Sequence, residues 1–272
     1  MAKKILLAGY YGFGNLGDEI LLETYLARLK PKFQVSVLLP RKPVNRWSPW
    51  AVTRALAHTD MLLFGGGGIL QDKTGFLSLA YYLSLILLAR IFGKRVVLLG
   101  QGIGPLSAFS LALTRAVLKL AEKITVRDNA SLQLLKGLHA SLTADSALLW
   151  DGLKNVRKRL PENPPKKIVF IPREDDAALE KALRQAALTA EKMGAKLEML
   201  SWRTPQEAAE HLASADLIIS MRLHGLILAQ VLGIPSLAAY DDPKILAWES
   251  GSKDIAVLRA QAEADFEWLR DR

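Results

Sequence analysis

The 272-residue sequence contains no cysteine and only four histidines. Without cysteine there are no disulfides, no thiolate metal sites and no thiol nucleophile, and nothing argues for an oxidising compartment. Long apolar runs are also missing. The opening MAKKILLAGYYGFG holds too few apolar residues before its glycines to serve as a signal-peptide core, so a cytoplasmic location is expected. A membrane span needs about 20 apolar residues. The nearest stretch, 75–92 (GFLSLAYYLSLILLARIF), carries two serines, two tyrosines and an arginine. It reads as a buried core helix, with contact at a membrane surface as the alternative. Acidic residues are scarce in one half of the chain: residues 1–150 hold 18 Lys and Arg against 8 Asp and Glu, whereas residues 151–272 hold 18 against 19. That asymmetry suggests that the first half meets an anionic partner, namely a phosphorylated substrate, a membrane surface or nucleic acid; a solvated basic face is the plainer reading. Half the residues are hydrophobic, enough for a sizeable core in one large or two ordinary domains.

The chain begins a second series midway. Lys3-Lys4-Ile5-Leu6-Leu7 is echoed by Lys166-Lys167-Ile168-Val169-Phe170, and the intervening stretch with Pro161, Pro164 and Pro165 reads as a linker. In the first series, short apolar runs at 5–8, 34–39, 61–64, 95–99 and 123–126 alternate with helical patterns. Leu21, Leu22, Tyr25, Leu26 and Leu29 make one face of a helix that Asp18 would cap. The second series has runs at 168–171, 196–200, 217–220, 236–239 and 255–258, then an amphipathic stretch to about Leu269. Thr204-Pro205-Gln206-Glu207 has the form of a helix start, and Gly233 with Pro235 that of a helix stop. The expected architecture is α/β: two doubly wound, Rossmann-like domains, each a parallel sheet covered by helices, facing across a cleft. The expected boundaries are 1–152 and 166–258, with a terminal helix over 259–272.

Glycine is abundant where chemistry is expected. Residues 12–17, G-F-G-N-L-G, match the dinucleotide-binding fingerprint. Yet the strand ends near Ala8, so the first glycine comes late, and Leu39-Pro40-Arg41-Lys42 offers no acid where a ribose would need one. The sequence has no G-x-x-x-x-G-K-[ST] loop. What Gly9, Gly12, Gly14 and Gly17 supply is backbone that a ligand can approach closely, with Asn15 and Asp18 at its mouth. Two further strands run into glycine: 65–68 (GGGG) followed by Gln71 and Asp72, and 100–105 (GQGIGP). Three such strand ends in one sheet imply a ligand across that edge. In the second domain, Ser220-Met221-Arg222-Leu223-His224-Gly225 lies where a strand meets a helix. If that segment is extended, Arg222 and His224 alternate onto one side. A guanidinium there binds carboxylate or phosphate, and an imidazole passes protons near neutral pH. Arg173, just past the strand 168–172, is a second anion ligand for the same edge; Arg127 is another candidate, or else half of an internal ion pair with Asp128. The acid pairs Asp175-Asp176 and Asp241-Asp242 have no histidine or third acid at ligand spacing, so no metal site is expected. Aromatic and basic residues do not interleave in the way base stacking requires, and no nucleic-acid partner is expected.

Over nearly the whole chain, GYYGFGNLGDEILL, GGGGILQD, GQGIGP, VRDNASLQLL, ADSALL and ISMRLHGLILAQVLGIPSLAAYDDPKI resemble, in that order, the polysaccharide pyruvyl transferases, in particular the bacterial branch that modifies secondary cell-wall polymers. The resemblance implies a glycosyltransferase-B-like arrangement of two α/β domains. It implies transfer of pyruvate from phosphoenolpyruvate, as a ketal, onto two hydroxyls of a sugar, with phosphate released. The implied acceptor is N-acetylmannosamine in a lipid-diphosphate-linked disaccharide, which would bring the protein to the inner face of the anionic cell membrane. A nucleotide-sugar-dependent glycosyltransferase of the same fold is the alternative. On this reading the second domain holds the donor through Arg222, Arg173, His224 and Gly225, and the first holds the acceptor through Gly12, Asn15, Gly66, Gly67, Gln71, Gln101 and Arg127. His224 is the acid or the group that assists phosphate departure; Asp18 and Asp72 are the candidate bases. No cofactor is implied beyond phosphoenolpyruvate as co-substrate.

Overall fold

A computed structural model describes residues 2–73, 75–157, 160–173, 177–239, 245, 246, 248 and 254–271. Asp175, Asp176, Asp241 and Asp242 lie outside the described residues. The chain divides into two compact units, Met1–Leu149 with Ala256–Arg272, and Trp150–Ile255.

The first unit carries strands β1 (Lys4–Ala8), β2 (Gln34–Leu39), β3 (Val44–Asn45), β4 (Met61–Leu70), β5 (Arg95–Ile103), β6 (Lys123–Val126) and β7 (Ala140–Leu142), and helices α1 (Leu16–Leu29), α2 (Pro49–Ala57), α3 (Phe76–Ile91), α4 (Ala108–Leu118) and α5 (Asn129–Leu134). All seven strands are parallel, in the order β3-β2-β1-β4-β5-β6-β7. Strands covered on both faces read as unbroken apolar runs rather than alternating ones. Residues 5–8 and 61–64 are such runs, fully buried. The order reverses between β1 and β4, and ligands of open parallel sheets bind outside the carboxyl ends of the strands at such a reversal.

The second unit repeats the scheme on a smaller scale, with β8 (Lys167–Ile171), α6 (Leu179–Met193), β9 (Lys196–Met199), α7 (Pro205–Ala213), β10 (Leu217–Ser220), α8 (Leu223–Leu232) and β11 (Ser236–Ala238). Its four parallel strands run β11-β10-β8-β9 and reverse between β8 and β10. Ala182, Ala186 and Ala190, four apart on α6, are buried against Ile168, Phe170 and Ile219; small side chains at that spacing let the helix lie close to the sheet. Thr204 caps α7, accepting the Glu207 amide at 3.2 Å with Pro205 in the first turn, and α8 ends at Gly233 with φ 74°.

Three expectations change. Residues 255–258 are not a fifth strand of the second sheet but the start of the C-terminal helix Ile255–Arg270, which packs on the first unit with Leu258, Ala262, Phe266 and Leu269 buried. Its buried positions fall three and four apart from Leu258 onward, a helical period in which the short apolar run 255–258 is the first turn. The glycines of 65–68 and 100–102 are not turns after their strands; β4 and β5 continue through them, with the register shifting beyond Gly67 and between Leu98 and Gln101. Helix α3 buries Leu79, Tyr82, Leu83 and Ile86 but leaves Leu77 84% and Ile91 78% exposed, so it is not a wholly buried helix. Among the described residues no helix is long and apolar enough to cross a membrane.

Candidate functional site at the two sheet reversals

In the first unit, α1 follows the glycine loop of β1. Asn15, not Asp18, occupies the N-cap position, its carbonyl accepting the Glu19 amide at 3.0 Å; Asp18 is the third residue of the helix and only 6% exposed. A Cβ on Gly67 would lie 3.0 Å from Asp18 Oδ1, so that glycine makes room for the carboxylate between α1 and the β4 bulge. Gly66 and Gly67 have φ of 73° and 81°, a region that side chains rarely adopt. Gly65, just before them, would drive a Cβ to 2.5 Å from the Tyr11 hydroxyl, which donates to the Gly65 carbonyl at 2.6 Å. The glycines thus serve close packing of α1 on β4 as well as any ligand.

Several residues assigned to a ligand are engaged within the protein. The Gly12 amide donates to Glu19 Oε1 at 2.8 Å, and that of Gly14 to the same oxygen at 3.4 Å. An acid in the first helical turn therefore takes donors expected to face a ligand. Gln101 is fully buried and spends its Nε2 on the carbonyls of Gly66 at 3.0 Å, Phe64 at 3.2 Å and Leu99 at 3.3 Å, bracing both bulges; it does not line the surface. Arg127 is held in an internal ion pair whose close partner is Asp145 rather than the expected Asp128: Nη1 is 2.5 Å from Asp145 Oδ2, both side chains buried, and Nε is 4.0 Å from Asp128 Oδ2. Gly102 leaves the space that this guanidinium fills, since a Cβ there would come within 2.9 Å of it. Asp72, half-buried, accepts the amide of Ser107, the N-cap of α4, at 2.9 Å. That bond, with the hydroxyls of Ser110 and Ser107, holds its carboxyl below the usual aspartate value, which weakens it as a proton acceptor. Gln71 follows β4, partly exposed. Of the two acids proposed as bases, Asp18 is the one set at the reversal between β1 and β4.

In the second unit the strand-to-helix turn departs from the extended reading: α8 begins at Leu223, so Arg222 is its extended N-cap residue (φ −124°, ψ 134°) and His224 lies in its first turn. The buried Ser220 hydroxyl fixes this turn by accepting the Arg222 amide at 3.0 Å and donating to the Arg222 carbonyl at 2.7 Å. Arg222 Nε donates to the Pro172 carbonyl at 2.8 Å. That bond brings its guanidinium across the reversal to the end of β8, at the residue that precedes Arg173 in sequence. Gly225 completes the turn, because a Cβ there would stand 2.3 Å from Ser220 Oγ and 2.5 Å from Ile171 Cδ1. A side chain would push α8 off the sheet. Arg222 and His224 therefore stand at the N-terminus of α8, and Arg222 reaches the chain end of β8 one residue before Arg173; a guanidinium and an imidazole at a helix N-terminus suit a small anion that must be protonated.

A family model for polysaccharide pyruvyl transferases matches residues 15–243. The chain belongs to this family. As a polysaccharide pyruvyl transferase it is a transferase enzyme, and the matched segment includes Asp18, Arg173, Arg222 and His224. No curated protein matches it. Solved structures share the fold. A functionally uncharacterized protein from Klebsiella pneumoniae subsp. pneumoniae is 17% identical with TM-score 0.57, covering 95% of this chain and 91% of its own. UDP-GlcNAc 2-epimerase from Neisseria meningitidis bound to UDP-GlcNAc is 12% identical with TM-score 0.54, covering 98% and 92%. An α-glucosyltransferase in complex with UDP is 9% identical with TM-score 0.53, covering 99% and 95%. The polysaccharide pyruvyl transferase chain thus has a glycosyltransferase-B-like α/β fold.

Two residues that hold the glycine loop were not singled out in the sequence. Glu19 had a signal, an acid one turn into a helix after a glycine loop. Arg46 had none. It is buried under the glycine loop, donating through Nη1 to the Gly9 carbonyl at 3.0 Å and through Nη2 to the Tyr82 hydroxyl at 2.9 Å.

Proposed function

We propose that the protein transfers pyruvate from phosphoenolpyruvate onto two hydroxyls of a saccharide as a ketal, releasing phosphate. The acceptor in this reading is N-acetylmannosamine of a lipid-diphosphate-linked cell-wall precursor. The observation that carries it is the guanidinium of Arg222 bound to the carbonyl of Pro172, the residue before Arg173, with His224 in the first turn of α8. Phosphoenolpyruvate carries a carboxylate and a phosphate on three carbons, and two guanidiniums match that pair of anions. A proton delivered to the methylene carbon makes it a methyl group and leaves the adjacent carbon electron-deficient. One sugar hydroxyl adds to that carbon and loses its proton to a carboxylate. The second hydroxyl then displaces phosphate, which leaves with the remaining proton. His224 supplies the first proton or assists phosphate departure, and Asp18 accepts the hydroxyl proton.

A lipid-linked acceptor calls for peripheral contact with the anionic inner face of the membrane. Support comes from the basic excess of residues 1–150 and from Phe76, Leu77 and Phe109, exposed at the starts of α3 and α4 on the carboxyl edge of the sheet. The rings of Phe76 and Phe109 are 6.0 Å apart, so the three form one patch. Apolar anchors beside basic residues suit a bilayer surface. A second reading, transfer from a nucleotide sugar, draws on the UDP-GlcNAc held by the Neisseria relative of this fold. Incubation with phosphoenolpyruvate and a lipid-linked disaccharide, followed by phosphate release and product mass, separates the two. Turnover of a UDP-sugar without phosphate release from phosphoenolpyruvate would replace the first reading by the second.

A further inference from the structure

The geometry points to a pyranose-stacking subsite on the rings of Tyr10, Phe13 and Trp47, beside the glycine loop of β1; as the place where the acceptor saccharide sits, it rests on the pyruvyl-transfer reading. Tyr10 and Phe13 stack with centroids 4.3 Å apart and planes 13° from parallel. Trp47 meets Phe13 edge-on at 6.2 Å and leans on Tyr81 at 6.4 Å. Beneath them lies Arg46, whose Cζ is 5.0 to 5.5 Å from the rings of Tyr81, Phe13, Trp47 and Tyr82. Among the described residues no carboxylate pairs with this 5%-exposed guanidinium. A carbonyl, a phenol and four ring faces hold its charge instead. Burial raises the Tyr82 phenol to about 12, so it stays a neutral acceptor at physiological pH.

Three consequences favour a sugar ring on the outer surface. The ledge is exposed and apolar, with Trp47 63% and Tyr10 43% accessible. It is also stiff: stacking, edge contact and the cation beneath hold the rings, so little side-chain freedom is lost when a ligand arrives. The Arg46 cation is buried, with Nη1 and Nη2 bonded to the Gly9 carbonyl and the Tyr82 hydroxyl and its Nε enclosed without a hydrogen-bond partner, so the ledge presents flat hydrocarbon to a ligand rather than charge. A pyranose offers the matching surface, a face of axial C–H groups with hydroxyls around its rim, whereas a phosphate headgroup does not. Its position is apt as well. Tyr10 and Phe13 belong to the loop leading into α1, and Asp18 lies in the first turn of that helix. Trp50 is 75% exposed and makes no ring contact among the described residues, which makes it a natural control.

The test uses the full chain and a panel of neutral methyl pyranosides, including glucose, galactose, mannose and their 2-acetamido forms, read by saturation-transfer NMR and by titration. At least one glycoside should bind wild type with transfer from the protein to its C–H face. Trp47→Ala and Tyr10→Ala should weaken that binding about tenfold or more, Trp47→Phe should recover most of it, and Trp50→Ala and phosphoenolpyruvate affinity should be unchanged. The assignment is overturned if no glycoside binds wild type, or if Trp47→Ala and Tyr10→Ala bind as wild type does. It is equally overturned if Trp47→Ala loses binding to phosphatidylglycerol vesicles while glycoside affinity holds, since the ledge would then be a bilayer contact. Failure of the two readings is distinguishable: glycoside binding lost in Trp47→Ala alongside a wild type inert to phosphoenolpyruvate removes the donor and keeps the ledge. Normal ketal transfer by Trp47→Ala with unaltered glycoside affinity does the reverse.

Discussion

The hydroxyl of Thr125 donates to Asp265 Oδ2 at 2.7 Å across 140 positions of sequence, and accepts the Gly100 amide at 2.8 Å. A side chain of the C-terminal helix is thereby tied, through one threonine, to the glycine bulge of β5. Burial raises the Asp265 carboxyl above the usual aspartate value, against the opposing pull of Thr125 and Lys123. A raised folded-state value means that the neutral acid is favoured in the folded protein. This contribution is full below the unfolded-state value and is lost as pH rises through the folded one. Asp265→Asn keeps an acceptor for Thr125 and removes the charge. Its melting temperature should therefore gain on wild type as pH is raised from 4 to 7, and parallel curves over that range would refute the assignment.

At the edge proposed for the donor, His224→Ala should lower kcat by about 10²- to 10⁴-fold, the usual contribution of a positioned acid, with an unchanged circular dichroism spectrum. Arg222→Lys should raise the phosphoenolpyruvate Kd roughly tenfold or more. Bonds to charged groups are worth about 1.5–3 kcal/mol, and a point charge does not reproduce a planar fork. Unaltered donor affinity, measured by calorimetry, would remove Arg222 from the site.

Replacing Arg127 separates ligand binding from architecture. In Arg127→Met, buried Asp145 loses the guanidinium that faces it, and breaking such a pair costs about 3–5 kcal/mol. We expect a fall in melting temperature on the order of 10 °C, with acceptor KM little altered below the transition. A changed KM at unchanged stability would return Arg127 to the acceptor site.

Gly225→Ala is a sharper test of the turn. Helix propensity alone favours alanine by about 1 kcal/mol, but its Cβ would collide with Ser220 Oγ and Ile171 Cδ1. Overpacking of this kind costs about 1–3 kcal/mol, so the variant should unfold at lower denaturant than wild type. Equal or greater stability would show that α8 can move off the sheet freely.

The parallel sheets were legible because buried strands such as 5–8, 61–64 and 168–171 leave runs that no amphipathic helix matches, and because glycine and proline punctuate them. Thr204-Pro205 and Gly233 marked helix ends by local chemistry alone. The short edge strands β3 and β7 were invisible, since two or three residues carry no periodicity. The strand-to-helix turn that carries Arg222, His224 and Gly225 was legible for the same local reason, since the three sit within one turn. The residues proposed for the acceptor were read less well. Gln101 and Arg127 are polar residues whose partners, Gly66 and Asp145, lie 35 and 18 positions away, beyond the reach of a local pattern, whereas Glu19, the partner of Gly12, lies only seven positions on. Arg46 shows the same limit, because nothing near it in sequence announces that Tyr81 and Tyr82 will enclose it.

If Phe76, Leu77 and Phe109 rest on a bilayer, Leu77→Asp with Phe109→Asp should reduce sedimentation with phosphatidylglycerol vesicles severalfold, since burying apolar area is worth about 25 cal/mol per Å². Turnover of a lipid-free acceptor should be unaffected. Equal vesicle binding by the double variant would move any membrane contact elsewhere.

The second unit is inserted, in chain order, between the seven-stranded sheet and the helix that covers part of it. On the ribosome, the sheet must therefore wait. Tyr25, which packs against Phe266 with centroids 5.0 Å apart, and Thr125 stay without their lid until more than a hundred further residues have been translated, so a nascent chain stalled within that insert would present a bare apolar face to chaperones.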